Sequence, residues 1–277
     1  MTNTFKISFE FFPPKTEEGA AILDQTMALL QSYHPDFCSV TFGAGGSTRE
    51  GTLQTVRRLQ KTGVPIAPHL ASVGLSREEI KTILQTYQSL NIRRLVAIRG
   101  DLPSGMGLDS ELKYAHELVA LIRETTQDNF HIEVAAYPEI HPQAKNAERD
   151  IKNLKKKMEA GADSAITQYF FNADAYFYLL DECAKENITF PIVPGIMPIT
   201  NFAKLVRFSD LCGAEIPRWI RERLQGYGDN IESIQAFGLE VIHTLCTHLI
   251  EGGAPGLHFY TLNQHDASIK LLKLLQL

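Results

Sequence analysis

The chain contains eight short apolar runs, most of them separated by helix-like stretches, and nearly every run ends in a polar or small residue of a catalytic type. A (β/α)8 barrel has this organisation, because its active site is built from the C-terminal ends of the strands and the loops that follow. Parallel barrel strands are covered on both faces, so they read as apolar runs. The predicted strands end near Glu10, Thr41, His69, Asp101, Tyr137, Gln168, Gly195 and Thr261.

These runs predict an α/β protein that forms one (β/α)8 TIM-barrel domain over residues 1–277. A chain of 277 residues with 44% hydrophobic content suffices for one large core. No linker, repeat or low-complexity tract divides it. A doubly wound open sheet uses the same strand–helix alternation and is the alternative, but eight units with reactive residues at their ends favour closure.

Several helix boundaries can be predicted from capping signals. Thr16 is a predicted N-cap that is followed by acidic residues, and Ser76 with Glu79 three residues later forms a capping box. Pro217 separates two predicted helical segments late in the chain.

Composition excludes several classes of partner. The net charge is −5, and the densest basic run is the short segment 155–157 (KKK), so no nucleic acid is expected as a ligand. The N-terminus lacks an apolar signal segment, and no run reaches about 18 apolar residues, so no membrane span is expected. The four cysteines form no CxxC motif, which favours a reducing compartment and a cytoplasmic location.

Glu10 is the leading candidate for acid–base chemistry. It stands between Phe9 and Phe11 at the end of the first predicted strand. An aromatic setting desolvates a carboxylate and raises its pKa, which lets it carry a proton near neutral pH. The alternative is that Glu10 faces outward and pairs with a lysine of a helix.

The segment Arg99, Gly100 and Asp101 ends the fourth predicted strand. Glycine allows the backbone to approach a ligand closely, and the two flanking side chains offer opposite charges. The alternative is an arginine–aspartate ion pair that only holds the loop in place.

His69 follows Pro68 at another strand end, where a lone histidine is more often a hydrogen-bonded structural group than a base or ligand. No metal site is predicted, because HExxH is absent and His69, His131 and His141 have no acidic companions at ligand spacing.

Two further segments are typical of nucleotide binding. Residues 43–48 (GAGGST) could cradle a phosphate at a helix N-terminus or form a plain turn, but the motif lacks the third glycine of GxGxxG, so no Rossmann site is predicted. Asp150, Asn153 and Lys157 share one helix face after the loop 137–142, which makes this face a candidate for binding a ribose or phosphate. The alternative is a polar face that is merely solvated, which is the commoner case.

Gln168 lies beside the aromatic residues 169–171 at the end of the sixth predicted strand. An amide next to aromatic rings suits a flat heteroaromatic ligand. The alternative is that the rings pack in the core.

Eight sequence blocks, in order along the whole chain, resemble the methylenetetrahydrofolate reductase family in its short bacterial form, a catalytic barrel alone. The blocks are residues 8–14 (SFEFFPP), 39–44 (SVTFGA), 67–70 (APHL), 97–101 (AIRGD), 135–142 (AAYPEIHP), 166–171 (ITQYFF), 194–198 (PGIMP) and 258–263 (HFYTLN). The resemblance implies that FAD takes hydride from NADH and passes it to 5,10-methylenetetrahydrofolate in a ping-pong scheme. The product is 5-methyltetrahydrofolate for methionine synthesis.

The resemblance also implies residue roles. Glu10 is the expected general acid toward N10 of the folate, and Asp101 is expected near the flavin and the pterin. The implied substrate-binding residues are Thr41, Asp101, Gln168, Lys204, Phe208 and Gln264. The implied FAD-binding residues are Phe42, Ala44, His69, Arg99, Gly100, Asp101, Tyr114, Ala115, Tyr137, His141, Ala144, Asp150, Asn153, Lys156 and Lys157.

Two positions depart from a bacterial relative, which has glutamine in place of Lys204 and arginine in place of Gln264; both bear on the affinity for folate and its polyglutamate tail. A homo-oligomer is expected from the resemblance, and the choice between NADH and NADPH stays open. The rival interpretations are a folate-binding barrel without redox activity, such as a methyl-transfer partner, and a regulatory binding protein on the same scaffold.

Overall fold

The computed structural model describes residues 5–42, 46–100 and 111–277, with only the backbone described at residues 46–48. All strands of the described part belong to one parallel sheet. In chain order they are β1 (Lys6–Phe11), β2 (Phe37–Val40), β3 (Ile66–Ala71), β4 (Arg94–Ile98), β5 (His131–Ala136), β6 (Ser164–Thr167), β7 (Ile192–Val193), β8 (Gly195–Ile196) and β9 (Gly256–Tyr260).

The sheet closes into a barrel through one interrupted strand. Its order is β7-β6-β5-β4-β3-β2-β1-β9-β8, and β7 and β8 are the two halves of the seventh predicted strand. Pro194 separates them, because proline has no N–H for the ladder. Val193 pairs with Ile166 of β6, whereas Gly195 pairs with His258 of β9. The same chain segment therefore pairs on both sides, and the predicted (β/α)8 barrel is confirmed.

Helices surround this barrel and follow the predicted capping signals. The Thr16 hydroxyl accepts a hydrogen bond from Gly19 N, and the capping box of Ser76 and Glu79 is formed. The helices are α1 (Glu17–Leu30), α2 (Gly46–Gln60), α3 (Arg77–Ser89), α4 (Ala115–Thr126), α5 (Ala147–Glu159), α6 (Ala173–Lys185), α7 (Phe202–Cys212), α8 (Arg218–Gly226), α9 (Ile231–Glu251) and α10 (Asp266–Leu274). Within the described ranges, none is long and apolar enough to cross a membrane.

Strand residues alternate between two environments, as the period of two in a strand requires. Phe9, Phe11 and Leu70 belong to the large outer core, which also contains buried residues of the surrounding helices. Phe37 and Val96 belong to a small separate cluster with Ala67 and Ile166, one buried residue from each of four strands, on the inner side of the sheet. Strand residues whose side chains point to the same inner side as this cluster, and which lie at the C-terminal ends of the strands, therefore reach the barrel mouth.

Candidate active site

Glu10 lies at the C-terminal end of β1 and faces the barrel interior. Its neighbours Phe9 and Phe11 are fully buried on the outer side of the strand, so alternation turns Glu10 inward. The sheet register places Glu10 beside Ser39 of β2 and Tyr260 of β9. Its side chain is 20% exposed. Glu10 therefore meets groups of the barrel mouth, and the outward-facing alternative is wrong.

Two histidines from other strands face the Glu10 carboxylate. Nε2 of His69 lies 3.2 Å from Oε2 of Glu10, and Nε2 of His258 lies 3.7 Å from the same oxygen. Both Nε2 atoms are buried and lack an aligned hydrogen bond to any described residue. The geometry is not that of a well-formed hydrogen bond, and each contact is an ion pair when the imidazole is protonated. No described group of three or more His, Cys, Asp or Glu side chains is arranged to hold a metal ion.

The histidines reverse the expected pKa shift of Glu10. Burial raises the pKa, but interactions with His258 and His69 outweigh burial and lower it to about 2. The expectation of a raised pKa is wrong, because the rings of Phe9 and Phe11 point away from the carboxylate and the imidazoles of His69 and His258, which are remote in sequence, lie beside it instead. Glu10 is ionised at neutral pH, so a proton that it delivers has to be held by a neighbouring group.

Tyr260 spans the barrel mouth next to Glu10. Its hydroxyl donates a hydrogen bond to the Thr167 carbonyl oxygen at 2.7 Å, across the barrel from β9 to β6. A Cβ atom at Gly195 would lie 2.2 Å from that same carbonyl oxygen and 2.6 Å from the Tyr260 ring. Glycine at position 195 therefore makes room for the tyrosine that closes one side of the site.

The end of β4 adopts a conformation that requires glycine. Gly100 has a φ of +87°, and a Cβ atom there would lie 3.0 Å from Cβ of Ala71. The Arg99 carbonyl oxygen accepts a hydrogen bond from Val73 N at 2.9 Å, which ties this strand end to the segment after β3. The predicted site residues Asp101 and Ala44 lie outside the described residues.

The loop after β5 is held by the helix that follows it. The rings of Tyr137 and His141 meet edge to face with centroids 4.5 Å apart. The backbone N–H of His141 donates to Oδ2 of Asp150 at 2.8 Å, and the His141 carbonyl accepts from Ala144 N at 2.8 Å. Asp150 on α5 thus fixes a loop that presents two rings at the barrel mouth.

Lys157 lies on the same face of α5 as Asp150 and the half-buried Asn153. Its Nζ donates a hydrogen bond to the Ala135 carbonyl oxygen at 2.7 Å. Burial lowers the pKa of Lys157 to about 8, although the charge of Asp150 opposes this shift. Lys157 is therefore a cation held at the end of β5 that is only weakly stabilised in its charged form.

The start of α4 lies next to this face of α5. Tyr114 occupies the N-cap position before Ala115, is exposed, and stacks on His116 with centroids 5.6 Å apart. Burial lowers the pKa of His116, and the nearby positive charges of Lys156 and Lys157 lower it further. The two helices thus form one surface with aromatic, acidic and basic groups.

The remaining predicted substrate residues lie on several elements. Thr41 follows β2 and its carbonyl accepts a hydrogen bond from Thr52 Oγ1 at 3.0 Å, while Phe42 packs against the core. On α7, Phe208 packs against the core whereas Lys204 is exposed. Gln264, after β9, is also exposed. The structure therefore brings Thr41 and Phe42 to a strand end and leaves Lys204 and Gln264 on the surface.

A small cavity joins Gln168 to the loop after β5 and the end of α7. Its lining residues are Tyr137, Pro138, Glu139, Ile140, Gln168, Tyr169, Cys212, Gly213 and Ala214. Oε1 of Gln168 accepts a hydrogen bond from Tyr169 N at 2.9 Å, so its side-chain NH2 group stays available to a ligand. A larger pocket beside Trp219 and Phe237 is lined by residues of α8 and α9 and by Tyr227 between them, and it includes no strand end, so it is separate from this site.

The comparison with known families decides the identity of this barrel. The family model described as methylenetetrahydrofolate reductase matches residues 1–276. The chain belongs to the methylenetetrahydrofolate reductase family.

Relatives in this family match almost the whole chain. The 5,10-methylenetetrahydrofolate reductase of Escherichia coli (strain K12) is 40% identical over 263 residues, which cover 95% of this chain and 88% of the relative. The methylenetetrahydrofolate reductase (NADH) 1 of Arabidopsis thaliana is 38% identical over 279 residues, which cover 96% of this chain and 47% of the plant protein.

A solved structure shows the same fold. It is an uncharacterized protein from Clostridium thermocellum, described as binding two copies of 5-methyl-5,6,7,8-tetrahydrofolic acid. The TM-score is 0.69 at 18% identity, with 97% of this chain and 94% of the other covered. The two proteins therefore share the barrel fold at low sequence identity.

Three residues of this reductase-family site escaped prediction from sequence, namely Ser8, His258 and Tyr260. Each lies in one of the sequence blocks that resemble the family, but the sequence analysis predicts no role for any of them. The period of two in β1 and β9 could have placed Ser8 with Glu10 and His258 with Tyr260 on inner faces. Their contact also requires the register between the first and last strands, which is set by closure of the whole barrel.

Proposed function

We propose that this protein is an FAD-dependent 5,10-methylenetetrahydrofolate reductase, which uses NADH in a ping-pong scheme to make 5-methyltetrahydrofolate for methionine synthesis. The observation that carries the proposal is the inward carboxylate of Glu10 at the mouth of a barrel whose chain belongs to this family over residues 1–276. NADH as donor is supported by the name of the Arabidopsis thaliana relative, methylenetetrahydrofolate reductase (NADH) 1. A homo-oligomer is part of the proposal through the family resemblance.

The described residues fit FAD as a cofactor. Nε2 of His69 is a buried polar atom without an aligned partner, and the surface of α4 and α5 offers rings together with basic side chains. FAD, when bound, supplies the hydride-carrying ring system. We assign its binding to Phe42, Ala44, His69, Arg99, Gly100, Asp101, Tyr114, Ala115, Tyr137, His141, Ala144, Asp150, Asn153, Lys156 and Lys157.

Different parts of this set suit different parts of the cofactor. Lys156 and Lys157 supply positive charge for phosphate groups, and Asp150 and Asn153 supply hydrogen-bonding groups for a ribose. The aromatic pair of Tyr137 and His141 offers ring faces and edges to a flat group.

Glu10 supplies the proton that the folate needs. Protonation of N10 by the Glu10 carboxyl group makes that nitrogen a leaving group, so the bond from N10 to the bridging carbon breaks and an iminium ion forms at N5. The bridging carbon can then accept hydride. Gln168 and Phe208 would contact NADH and the folate in turn, Thr41 would meet the nicotinamide side, and Asp101 would lie near the pterin. Lys204 would contact the folate, and Gln264 would lie near the folate tail. Alternate use of one binding surface gives the ping-pong order.

The absorption spectrum of the purified protein tests this proposal. Flavin bands that bleach with NADH in the absence of oxygen, and recover when 5,10-methylenetetrahydrofolate is added, are the expected result. A parallel titration with NADPH measures the preference between the two donors. A colourless protein that stays inert after FAD is supplied would overturn the proposal. Folate binding by such a protein would support the non-redox barrel instead.

A further inference from the structure

The loop after β5 contains a residue with a strained backbone. Ile140 has a φ of +67°, and among the described residues it is the only β-branched one with a positive φ. A branched Cβ crowds the backbone in this left-handed region, so the conformation costs free energy and persists only where the surroundings impose it. The Ile140 side chain is 43% exposed, so its own burial does not explain the conformation. Contacts of the neighbouring loop residues therefore hold the backbone of Ile140.

Hydrogen bonds fix the residues on both sides of Ile140. Oε2 of Glu139 accepts a hydrogen bond from the backbone N–H of Glu215 at 2.7 Å. On the other side, the backbone N–H of His141 donates to Oδ2 of Asp150 at 2.8 Å. Asp150 is one of the residues assigned to the cofactor, whereas Glu139 is assigned neither to the cofactor nor to a substrate. The backbone of Ile140 is thus confined between two tethered residues.

The donor to Glu139 is a rigid part of the chain. Glu215 lies between α7 and α8, and its neighbours Ala214 and Ile216 are both buried in the outer core. Their burial fixes the backbone N–H between them, while the Glu215 side chain is exposed. The partner of Glu139 is therefore the backbone at position 215, and the side chain at that position is not required.

A close packing contact accompanies this hydrogen bond. A Cβ atom at Gly213 would lie 2.5 Å from Cγ of Pro142, so only glycine lets the end of α7 approach the loop this closely. The cavity between the loop and this helix end has a volume of about 10 Å³, which is room for no more than one water molecule. The loop after β5 is therefore packed against the segment that begins at Gly213.

We propose that Glu139 is a positioning residue that holds the loop 137–142 in its strained conformation and thereby presents Tyr137 and His141 to FAD. The inference rests on the proposed function, which assigns both rings to the cofactor. The hydrogen bond of Glu139 offsets the strain at Ile140 before the cofactor arrives, so ordering of the loop does not reduce the affinity for FAD. Without this hydrogen bond the strain is released, the two rings leave their places, and the affinity falls.

The contact depends on an acceptor oxygen rather than on a negative charge. Burial raises the pKa of Glu139, the N–H of Glu215 opposes this rise, and the charge of the Glu215 side chain adds to it. A raised pKa means that the environment favours the neutral form relative to an exposed carboxylate. A glutamine at position 139 is neutral and keeps an acceptor oxygen, so it should preserve the contact.

Titration of the FAD-free protein with FAD, followed by fluorescence quenching, tests the proposal. In Glu139→Ala we expect the Kd to rise by about tenfold or more, because the hydrogen bond and the order of the loop are lost. Glu139→Gln should stay within about threefold of the parent. Ile140→Gly, added to Glu139→Ala, should recover most of the loss, since glycine adopts a positive φ without strain. A merely structural role of Glu139 would not give that recovery.

Asn230→Ala is the matched control. The Asn230 side chain also accepts a hydrogen bond from a backbone N–H, that of Ser233 at 3.0 Å, but it caps α9 and does not hold the loop after β5. Its Kd for FAD should stay within about twofold of the parent value, and Glu215→Gln, which keeps the backbone donor, should do the same. A folded Glu139→Ala protein with the parent's Kd, or a double variant without recovery, would overturn the proposal.

Hydrogen exchange in the FAD-free parent decides the question if Glu139→Ala does not fold. The N–H of Glu215 should exchange slowly for a surface residue, because its partner is the Glu139 carboxylate, and the N–H of His141 should be protected as well. Exchange of Glu215 at the rate of an unbonded surface amide would overturn the proposal. A parent that binds no FAD but keeps slow exchange at Glu215 would instead overturn the proposed function, so the two failures are distinguishable.

Discussion

Arg94 and Glu133 form an ion pair at the end of the barrel opposite Glu10, with Nη1 2.5 Å from Oε1. Glu133 is buried with 2% of its side chain exposed, and Ser164 donates a hydrogen bond to its other carboxylate oxygen. Arg94 also reaches Oδ2 of Asp36 at 3.1 Å and lies over the Phe37 ring. The arginine thus neutralises a carboxylate that water does not reach.

Arg94→Met should destabilise the fold strongly. It leaves Glu133 buried without its cation, and removal of one partner of a buried pair costs about 3–5 kcal/mol. Urea unfolding measures the loss. Arg218→Met is the control, because Arg218 pairs with Glu222 on the surface, where a pair is worth about 0–1 kcal/mol. Equal losses in the two variants would contradict the prediction, and Arg94→Met with Glu133→Leu should recover part of the loss.

Glu133 should also make stability depend on pH. Burial raises its pKa, but the contact with His131 and the charge of Arg94 outweigh burial and lower it. A carboxylate with a lowered folded-state pKa stabilises the fold above its unfolded pKa of about 4.3, and the stabilisation is lost as pH falls through the folded value. The difference in unfolding free energy between the parent and Glu133→Gln should therefore shrink below about pH 4. A constant difference from pH 7 downward would contradict this assignment.

Glu10→Gln should separate the two half-reactions. The amide keeps the shape of the side chain but has no proton to deliver, so the folate step should fall by about 100- to 10,000-fold. Flavin content and oxidation of NADH should persist, because neither needs an acid at this position. Stopped-flow absorption of the flavin measures both steps. Glu17→Gln, at the exposed start of α1, is the matched control. Normal folate turnover in Glu10→Gln would rule out Glu10 as the acid.

The barrel could be predicted because the sequence signals for its strands and helices are local. Each apolar run and each cap, such as Thr16 or Ser76, identifies its own strand or helix. Eight strand–helix units with reactive residues at the strand ends then favour a closed barrel over an open sheet. The sequence analysis does not predict the break at Pro194, although proline often interrupts a strand. The break is a consequence of barrel closure, because one half of the strand pairs with β6 and the other half with β9.

The environment of Glu10 could not be predicted in the same way. Its sequence neighbours Phe9 and Phe11 suggested a desolvated acid with a raised pKa, but alternation turns them outward. The groups that set the pKa are His69 and His258, which approach from β3 and β9. Such contacts depend on the strand register around the whole barrel, and the residues near Glu10 in sequence do not determine that register.

Lys157 should make FAD affinity depend on pH. Burial lowers its pKa to about 8, so the side chain loses its charge above that pH, whereas a bound phosphate group would favour the charged form. FAD binding then takes up a proton above about pH 8, and the Kd should rise by up to tenfold per pH unit there.

The variant Lys157→Met should bind FAD more weakly at pH 7, and its Kd should not rise with pH in this way. Lys152→Met, which removes an exposed lysine paired with Glu148, is the matched control and should titrate FAD like the parent. Fluorescence quenching of added FAD measures each Kd. A parent whose Kd is flat from pH 7 to about 10, or a Lys157→Met protein that keeps the slope, would show that Lys157 does not meet the phosphate groups.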